Sequence, residues 1–185
     1  MTAPSKLHTA ASSDVNAVAA ARDDDGAIAA KNVATSFYAA FKKRDVAAME
    51  AAYDPGVRFH DPLFGTLDGR HRVMEMWKTV MPAAGGKKLE GSSTIGDATR
   101  RSDGAYEVKV HWDAHYELGA RHIDNESDTT LVIRNGKIVD HRDDWDLSAW
   151  TEQALPHGLG GNVLANALTA FAAHTFVEVK DVFDR

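Results

Sequence analysis

The chain has 185 residues, 44% of them apolar and 26% charged, with a net charge of −6. This composition is that of one globular domain with tails. It argues against a membrane protein, because no stretch approaches the roughly 18 consecutive apolar residues of a spanning helix. It also argues against a nucleic-acid partner, because Lys and Arg are nowhere gathered into a basic stripe.

Cysteine is absent from the sequence. Disulfides, thiolate metal sites and a cysteine nucleophile are therefore excluded. The absence fits a reducing compartment, and no basic segment followed by an apolar run marks a secretory signal. We therefore expect a cytoplasmic protein.

The first 26 residues are rich in Ala, Ser and Asp and end in the run Asp23-Asp24-Asp25-Gly26. This composition predicts a flexible N-terminal leader. The first helix is predicted to begin near Ala27 and to end in Lys42-Lys43-Arg44, whose positive charge suits a helix C-terminus. Its apolar face is predicted to consist of Ile28, Val33, Phe37, Tyr38 and Phe41.

The next segment predicts two further helices and one strand. Asp45 can cap a short helix that runs to Tyr53, and Asp54-Pro55-Gly56 is typical of a turn. Residues 57–61 alternate like a strand that Pro62 ends, and residues 70–81 have helical spacing.

From Leu89 onward the apolar residues alternate with period two. Four strands are predicted at about 88–100, 105–118, 121–134 and 137–146, with turns at 102–104, 119–120 and 135–136. Helices followed by consecutive strands predict an α+β fold with the helices on one face of a curved antiparallel sheet. Residues 156–185 are expected to form a C-terminal extension, helical because Val163, Leu164, Leu168 and Phe171 recur at helical spacing.

Two long stretches and a turn together resemble a known superfamily. They are "FYAAFKKRDVAAMEAAYDPGVRFHDPLFGTLDGRHRVMEMW", "HWDAHYELGARHIDNESDTTLVIRNGKIVDHRDDWDL" and the Asn135-Gly136 turn. Residues 27–155 resemble the nuclear transport factor 2-like superfamily, in its SnoaL-like, ketosteroid isomerase-like branch. The resemblance implies a cone-shaped fold around a pocket for a small hydrophobic molecule. It also implies a homodimer, formed through the outer sheet face with His111, Asp113, His115 and Thr130.

Strand alternation and the resemblance together direct Asp61 and Asp143 inward, with His141 beside them. Asp61 stands where ketosteroid isomerase-like members place a general base, and Asp143 is expected to be the drier carboxylate. Two carboxylates in an apolar cavity can act as acid and base, so these three residues are the candidate catalytic set. The predicted substrate-binding residues are Tyr38, Phe59, Trp77, Trp112, Tyr116, Asn125 and Trp145.

Structural roles remain as alternatives for the same residues. Asp61 could cap the turn at Pro62, Asp143 could form a salt bridge with an arginine, and His141 could be a structural histidine. His111 and His115 share a strand face but are too far apart to form a good pair of metal ligands. We therefore expect neither a metal nor another cofactor.

The chain lacks site residues that two activities of the superfamily require. The oxyanion donors of the steroid isomerases fall at Phe37 and near Thr129, so steroid isomerisation is not expected. The Arg-x-Asp of limonene epoxide hydrolase-like members falls at Val110 and Trp112, so that hydrolysis is not expected either. The sequence favours an isomerase or cyclase that uses Asp-mediated proton transfer. The alternative is a non-catalytic ligand-binding or dimerisation module.

Overall fold

The computed structural model describes residues 7–83, 90–118 and 121–154. The predictions for the turn at Gly119-Ala120 and for the extension at 156–185 fall outside these described residues. Within them, no helix combines the length and the apolar composition that crossing a membrane requires.

Helix α1 spans Leu7–Lys43, so the predicted beginning near Ala27 is wrong. One of the polar residues at the end of the predicted leader, Asp23, contacts the sheet. Asp23 forms an ion pair of 3.2 Å with Arg100, and the Tyr106 hydroxyl donates to the Asp23 carbonyl at 3.3 Å. Local composition could not reveal these contacts, because Arg100 and Tyr106 lie far from Asp23 along the chain.

The buried face of α1 includes small residues that were not predicted and lacks one residue that was. Phe37 and Tyr38 are buried as expected, together with Ala30 and Ala34. Ile28 is 59% exposed, so its placement on the apolar face was wrong. Small residues at two positions of this face let the helix lie close to the sheet.

Helix α2 spans Val46–Ala52, and the Asp45 carboxylate caps it by accepting the Ala48 N–H at 3.0 Å. Strand β1 spans Tyr53–Asp61 and therefore contains the predicted turn. The turn is present as an irregularity of the strand, in which the Asp54 carboxylate accepts the Gly56 N–H at 2.8 Å.

The remaining elements follow the predicted order with two additions. Strand β2 and helix α4 were not predicted; α4 begins after Asp146, whose carboxylate accepts the Ala149 N–H at 3.0 Å. The bounds are β2 Gly65–Asp68, α3 Arg70–Ala83, β3 Glu90–Arg100, β4 Tyr106–Leu118, β5 Arg121–Arg134, β6 Lys137–Asp144 and α4 Leu147–Ala154.

The six strands form one curved sheet in the order β2-β1-β6-β5-β4-β3, with α1 and α3 packed against it. The α+β prediction is confirmed, but the sheet is mixed rather than antiparallel, because β1 lies parallel to β6. Hairpin connections force antiparallel pairing between successive strands. The long connection from β1 to β6 carries no such constraint.

The long strands β4 and β5 place successive side chains on opposite faces, as their period-two pattern predicts. Val108 and Val110 on β4 and Leu131 on β5 are buried on the helix-covered side, while Lys109 and Asp128 are exposed on the other side. Asn135 and Gly136 have φ angles of 51° and 72°, as the tight β5–β6 hairpin turn requires. A register shift between Val132 and Ile133 follows the turn, and beyond it His141 and Asp143 of β6 lie opposite Leu131 and Thr129 and face the interior.

Candidate functional site

A chain of hydrogen bonds runs through the buried interior of the sheet. The Tyr53 hydroxyl lies 2.8 Å from Nδ1 of His141, and Nε2 of His141 lies 3.0 Å from Oδ1 of Asp143. Thr129 Oγ1 lies 2.6 Å from the same Asp143 oxygen. All four side chains are buried. Strands β1, β5 and β6 therefore bring four polar groups into contact in the core.

The direction of the protons along this chain follows from its first donor. The indole N–H of Trp77 donates to the Tyr53 hydroxyl oxygen at 3.2 Å. The Tyr53 hydroxyl can then donate a hydrogen bond to Nδ1 of His141, and in that tautomer Nε2–H is the donor to Asp143. The chain thus ends on a carboxylate oxygen that acts as acceptor.

A second, shorter chain reaches Asp143 from β4. The indole N–H of Trp112 donates to Thr129 Oγ1 at 3.0 Å, and the Thr129 hydroxyl donates to Asp143. Both chains end on the same atom, Oδ1, so the other carboxylate oxygen takes part in neither. The hydrogen-bond partners of Asp143 are His141 and Thr129, so the predicted alternative of a salt bridge with an arginine is wrong.

Aromatic rings enclose His141, which is 1% exposed. The ring centroids of Phe37 and Phe59 lie 5.4 Å and 4.8 Å from the imidazole centroid. Phe59 also packs edge-on against Trp77 at 5.7 Å. Phe59 and Trp77, which were predicted to bind substrate, therefore pack in the hydrophobic core around His141.

The hydroxyl of Tyr38 is buried, and no described residue meets it with good hydrogen-bond geometry. Burial raises the pKa of the Tyr38 phenol well above its usual value, and the nearby Asp143 carboxylate raises it further, although the Thr129 hydroxyl is close enough to the phenol to lower this pKa by a smaller amount. The phenol is therefore protonated at neutral pH and can donate a hydrogen bond. Leaving a buried donor unpaired costs about 1–3 kcal/mol, which marks this position as one where a water or ligand would be stabilised.

Asp61 lies at the end of β1 and forms three hydrogen bonds. Its Oδ1 accepts the backbone N–H groups of Leu63 and Phe64 at 2.7 Å and 2.9 Å, and its Oδ2 accepts the indole N–H of Trp145 at 2.9 Å. Burial raises the pKa of the Asp61 carboxyl, although these hydrogen bonds oppose the change. The structural alternative for Asp61, capping of the turn at Pro62, is therefore present.

A second aromatic group surrounds the Trp145 side of Asp61. Trp145 packs edge-on against Trp150 of α4 at 6.0 Å, and the Trp150 N–H donates to the Tyr116 hydroxyl at 2.7 Å. Asn125 is half-buried on the inward face of β5. The predicted site residues thus form two groups, one around Asp143 and one around Asp61. The exposed fractions of these carboxylates are 4% and 8%, so Asp143 is the drier one, as expected.

Sequence reasoning missed three residues of these groups: Tyr53, Thr129 and Trp150. The sequence places Tyr53 at the end of the short helix, whereas in the structure it begins β1. The signal was available in the next residue, because Asp54 precedes Pro55 and is therefore held extended. The sequence marks Thr129 only as the place near which a steroid-isomerase oxyanion donor falls, and the strand register shows that it lies directly opposite Asp143. Trp150 was missed because α4 was not predicted.

A cleft of about 70 Å³ lies between the C-terminal part of α1 and strands β3 and β4. Of the predicted substrate-binding residues it contains Tyr38 and Trp112. Both also belong to the surroundings of Asp143 described above. The other lining residues are Phe41, Lys42, Glu90, Gly91, Ser92, Ser93 and Asp113.

Three solved structures show the same fold at low sequence identity. An LEH-like epoxide hydrolase from M. tuberculosis is 18% identical, with a TM-score of 0.54 over 75% of this chain and 98% of the other. TerC, co-crystallised with polyporic acid, is 20% identical, with a TM-score of 0.52 over 66% and 95%. A protein of ketosteroid isomerase-like fold from Catenulispora acidiphila, in complex with trimethylamine, is 23% identical, with a TM-score of 0.50 over 67% and 93%.

The family follows from the sequence itself. No curated protein matches the chain. The family model of the SnoaL-like domain matches residues 34–141, more than half of the 185 residues. This match runs from α1 to His141 and includes both Tyr53 and Thr129. The chain therefore belongs to the SnoaL-like domain family and has the nuclear transport factor 2-like fold.

Proposed function

We propose that the chain binds a small, largely apolar carbonyl compound beside Asp143 and acts on it by proton transfer, as an isomerase or cyclase. The observation that carries the proposal is the pair of hydrogen-bond chains that end on one oxygen of Asp143. They orient the carboxylate in a dry, aromatic interior, where proton transfer is favoured over exchange with water. Structures with this fold include an epoxide hydrolase-like protein and one crystallised with polyporic acid.

The proposed step begins at a carbon next to the carbonyl group of the substrate. Asp143 takes a proton from this carbon through the oxygen that neither chain holds, and the electron pair of the C–H bond moves toward the carbonyl oxygen. Tyr38 donates a hydrogen bond to the resulting oxyanion, since its hydroxyl is buried and protonated.

The second half of the reaction distinguishes the two outcomes. For an isomerase, Asp143 returns the proton to another carbon of the same conjugated system. For a cyclase, the carbanion attacks a second carbonyl carbon of the substrate, and the proton goes to the new alkoxide. Neither reaction requires a cofactor, because the proton that Asp143 removes is returned to the product in both. His141 is a positioning residue, because it contacts Asp143 and Tyr53 rather than the substrate.

The cleft beside Tyr38 and Trp112 is the proposed entrance. Its volume of about 70 Å³ is smaller than the roughly 300–1,000 Å³ of ordinary small-molecule sites. We therefore expect ligand binding to widen the space between α1 and the β3–β4 edge.

A second candidate is a non-catalytic ligand-binding or dimerisation module. It is favoured by Asp61, whose two oxygens are both engaged in holding a turn and an indole. In this case the Asp143 network stabilises the core and no proton transfer follows.

Two measurements test the proposal. Native mass spectrometry of the purified chain is expected to show a bound small molecule. Exchange of the α-protons of simple cyclic enones in D₂O, followed by NMR, is expected for the wild type and is expected to fall at least about 100-fold in Asp143→Asn, the size of a lost general base. Asp144→Asn is the matched control, because Asp144 is the exposed neighbour on the same strand.

The outcomes separate the two candidates. Exchange at equal rates in the wild type and Asp143→Asn would contradict the proposed base. A bound molecule without enone exchange in the wild type would favour the ligand-binding module.

A further inference from the structure

Two histidines and an aspartate lie together on the face of β4 and β5 that the helices leave uncovered. Nδ1 of His115 is 2.7 Å from Oδ1 of Asp124, and Nε2 of His122 is 3.1 Å from the same oxygen. Each of the three residues offers a ligand atom within 4.8 Å of the others, and all three side chains are exposed. His115 and Asp124 are direct partners across the β4–β5 ladder, which fixes their spacing.

A neighbouring carboxylate orients one of the two imidazoles. Oε1 of Glu117 lies 3.3 Å from Nδ1 of His122, the nitrogen that does not face Asp124. Histidine ligands in metal sites commonly give their second N–H to such a carboxylate, which fixes the ring and makes the other nitrogen a stronger ligand. The Glu117–His122 contact lies outside the three-residue cluster, and it independently favours metal binding by His122.

The backbone of Asp124 is also held in place. Gln153 of α4 accepts the Asp124 N–H at 2.8 Å through Oε1 and donates to the Asp124 carbonyl at 3.0 Å through Nε2. The paired part of β6 has ended before this point, so the side-chain amide replaces a neighbouring strand. The carboxylate therefore projects from a fixed backbone.

We infer that His115, His122 and Asp124 form a binding site for one divalent transition-metal ion of the zinc class. Two imidazoles and a carboxylate are the donors that such ions prefer. Metal–ligand bonds of about 2.0–2.1 Å in a tetrahedron place ligand atoms about 3.3 Å apart. The observed 2.7 Å and 3.1 Å need only small side-chain movements to accept the ion. Water takes the fourth position.

The site departs from the sequence-based expectation that the chain holds no metal. That expectation considered His111 and His115, which lie along one strand, whereas the present set crosses between strands. His111 contacts Asp128 at 2.9 Å and Asp113 at 3.2 Å, and within the described part of the chain it does not belong to a cluster with a second histidine. It therefore provides a matched control for a single imidazole on the same face.

Isothermal titration of the untagged full chain with ZnCl₂ at pH 7.5 tests the inference. We expect wild-type binding at this site to be lost in His122→Ala and His115→Ala and unchanged in His111→Ala. Glu117→Ala should weaken the affinity about 10–100-fold, the usual effect of removing such an outer contact. MgCl₂ should give no binding, since magnesium prefers oxygen ligands in an octahedron.

Circular dichroism without zinc checks that each variant keeps the wild-type fold, as expected for exposed side chains. The inference fails if the wild type binds no zinc. It also fails if His122→Ala and His115→Ala bind as tightly as the wild type, or if His111→Ala loses the same heat.

Discussion

Tyr53→Phe removes one oxygen atom from the interior and leaves two buried groups without a partner. The hydroxyl accepts the N–H of Trp77 at 3.2 Å and lies 2.8 Å from Nδ1 of His141, and all three side chains are buried. Each buried polar group that loses its partner costs about 1–3 kcal/mol. Because the contact with Trp77 is long, we expect the free energy of unfolding to fall by about 2–4 kcal/mol in total.

Urea unfolding at pH 7, followed by circular dichroism, measures this loss. Tyr106→Phe is the matched control, since the Tyr106 hydroxyl makes one exposed hydrogen bond of 3.3 Å to the Asp23 carbonyl. We expect the control to change the free energy of unfolding by less than about 0.5 kcal/mol. Equal effects of the two substitutions would refute the argument that Tyr53 joins Trp77 and His141 in a buried chain.

Three further predictions concern charge, backbone and assembly. Because burial raises the pKa of Asp61, its ionisation lowers the stability of the fold as pH rises above the unfolded value near 4. The stability of Asp61→Asn relative to the wild type should therefore increase from pH 4 to pH 7, as measured by urea unfolding at each pH. A difference in unfolding free energy that does not change with pH would contradict the raised pKa of Asp61. Gly91→Ala should destabilise the fold by about 1–3 kcal/mol in thermal melts, because a Cβ at Gly91 would lie 1.9 Å from the Asp113 carbonyl oxygen. Gly104→Ala is the control, since Gly104, like Gly91, has a positive φ, 81°, but a Cβ there would meet no described atom within 4 Å. Gly91→Ala should cost more than Gly104→Ala, and equal losses would contradict the close approach. The homodimer through the uncovered sheet face remains a prediction, and sedimentation at micromolar concentration should show a dimer, with a monomer counting against it.

The sequence by itself determined the elements whose signals are local. Strand β4 and most of β5 alternate between buried and exposed residues, so the faces of these two strands could be predicted from the sequence. The Asn135-Gly136 turn fixes the β5–β6 register next to the hairpin, but a register shift between Val132 and Ile133, which the sequence did not show, sets the pairing of Thr129 with Asp143. Asp45 likewise marked the beginning of α2. These features depend on neighbours a few residues away, which the sequence contains directly.

Tertiary structure alone decided what depends on distant pairing. The parallel contact of β1 with β6 brings Tyr53 to His141, 88 positions away, and no local pattern encodes this distance. Asp61 accepts hydrogen bonds from its own turn, whereas both hydrogen-bond chains end on Asp143. His115 and His122 come together because the β4–β5 ladder aligns them, although their positions along the chain suggested no common site. Side-chain chemistry was visible in the sequence, but the groups that act together were set by the register and packing of strands.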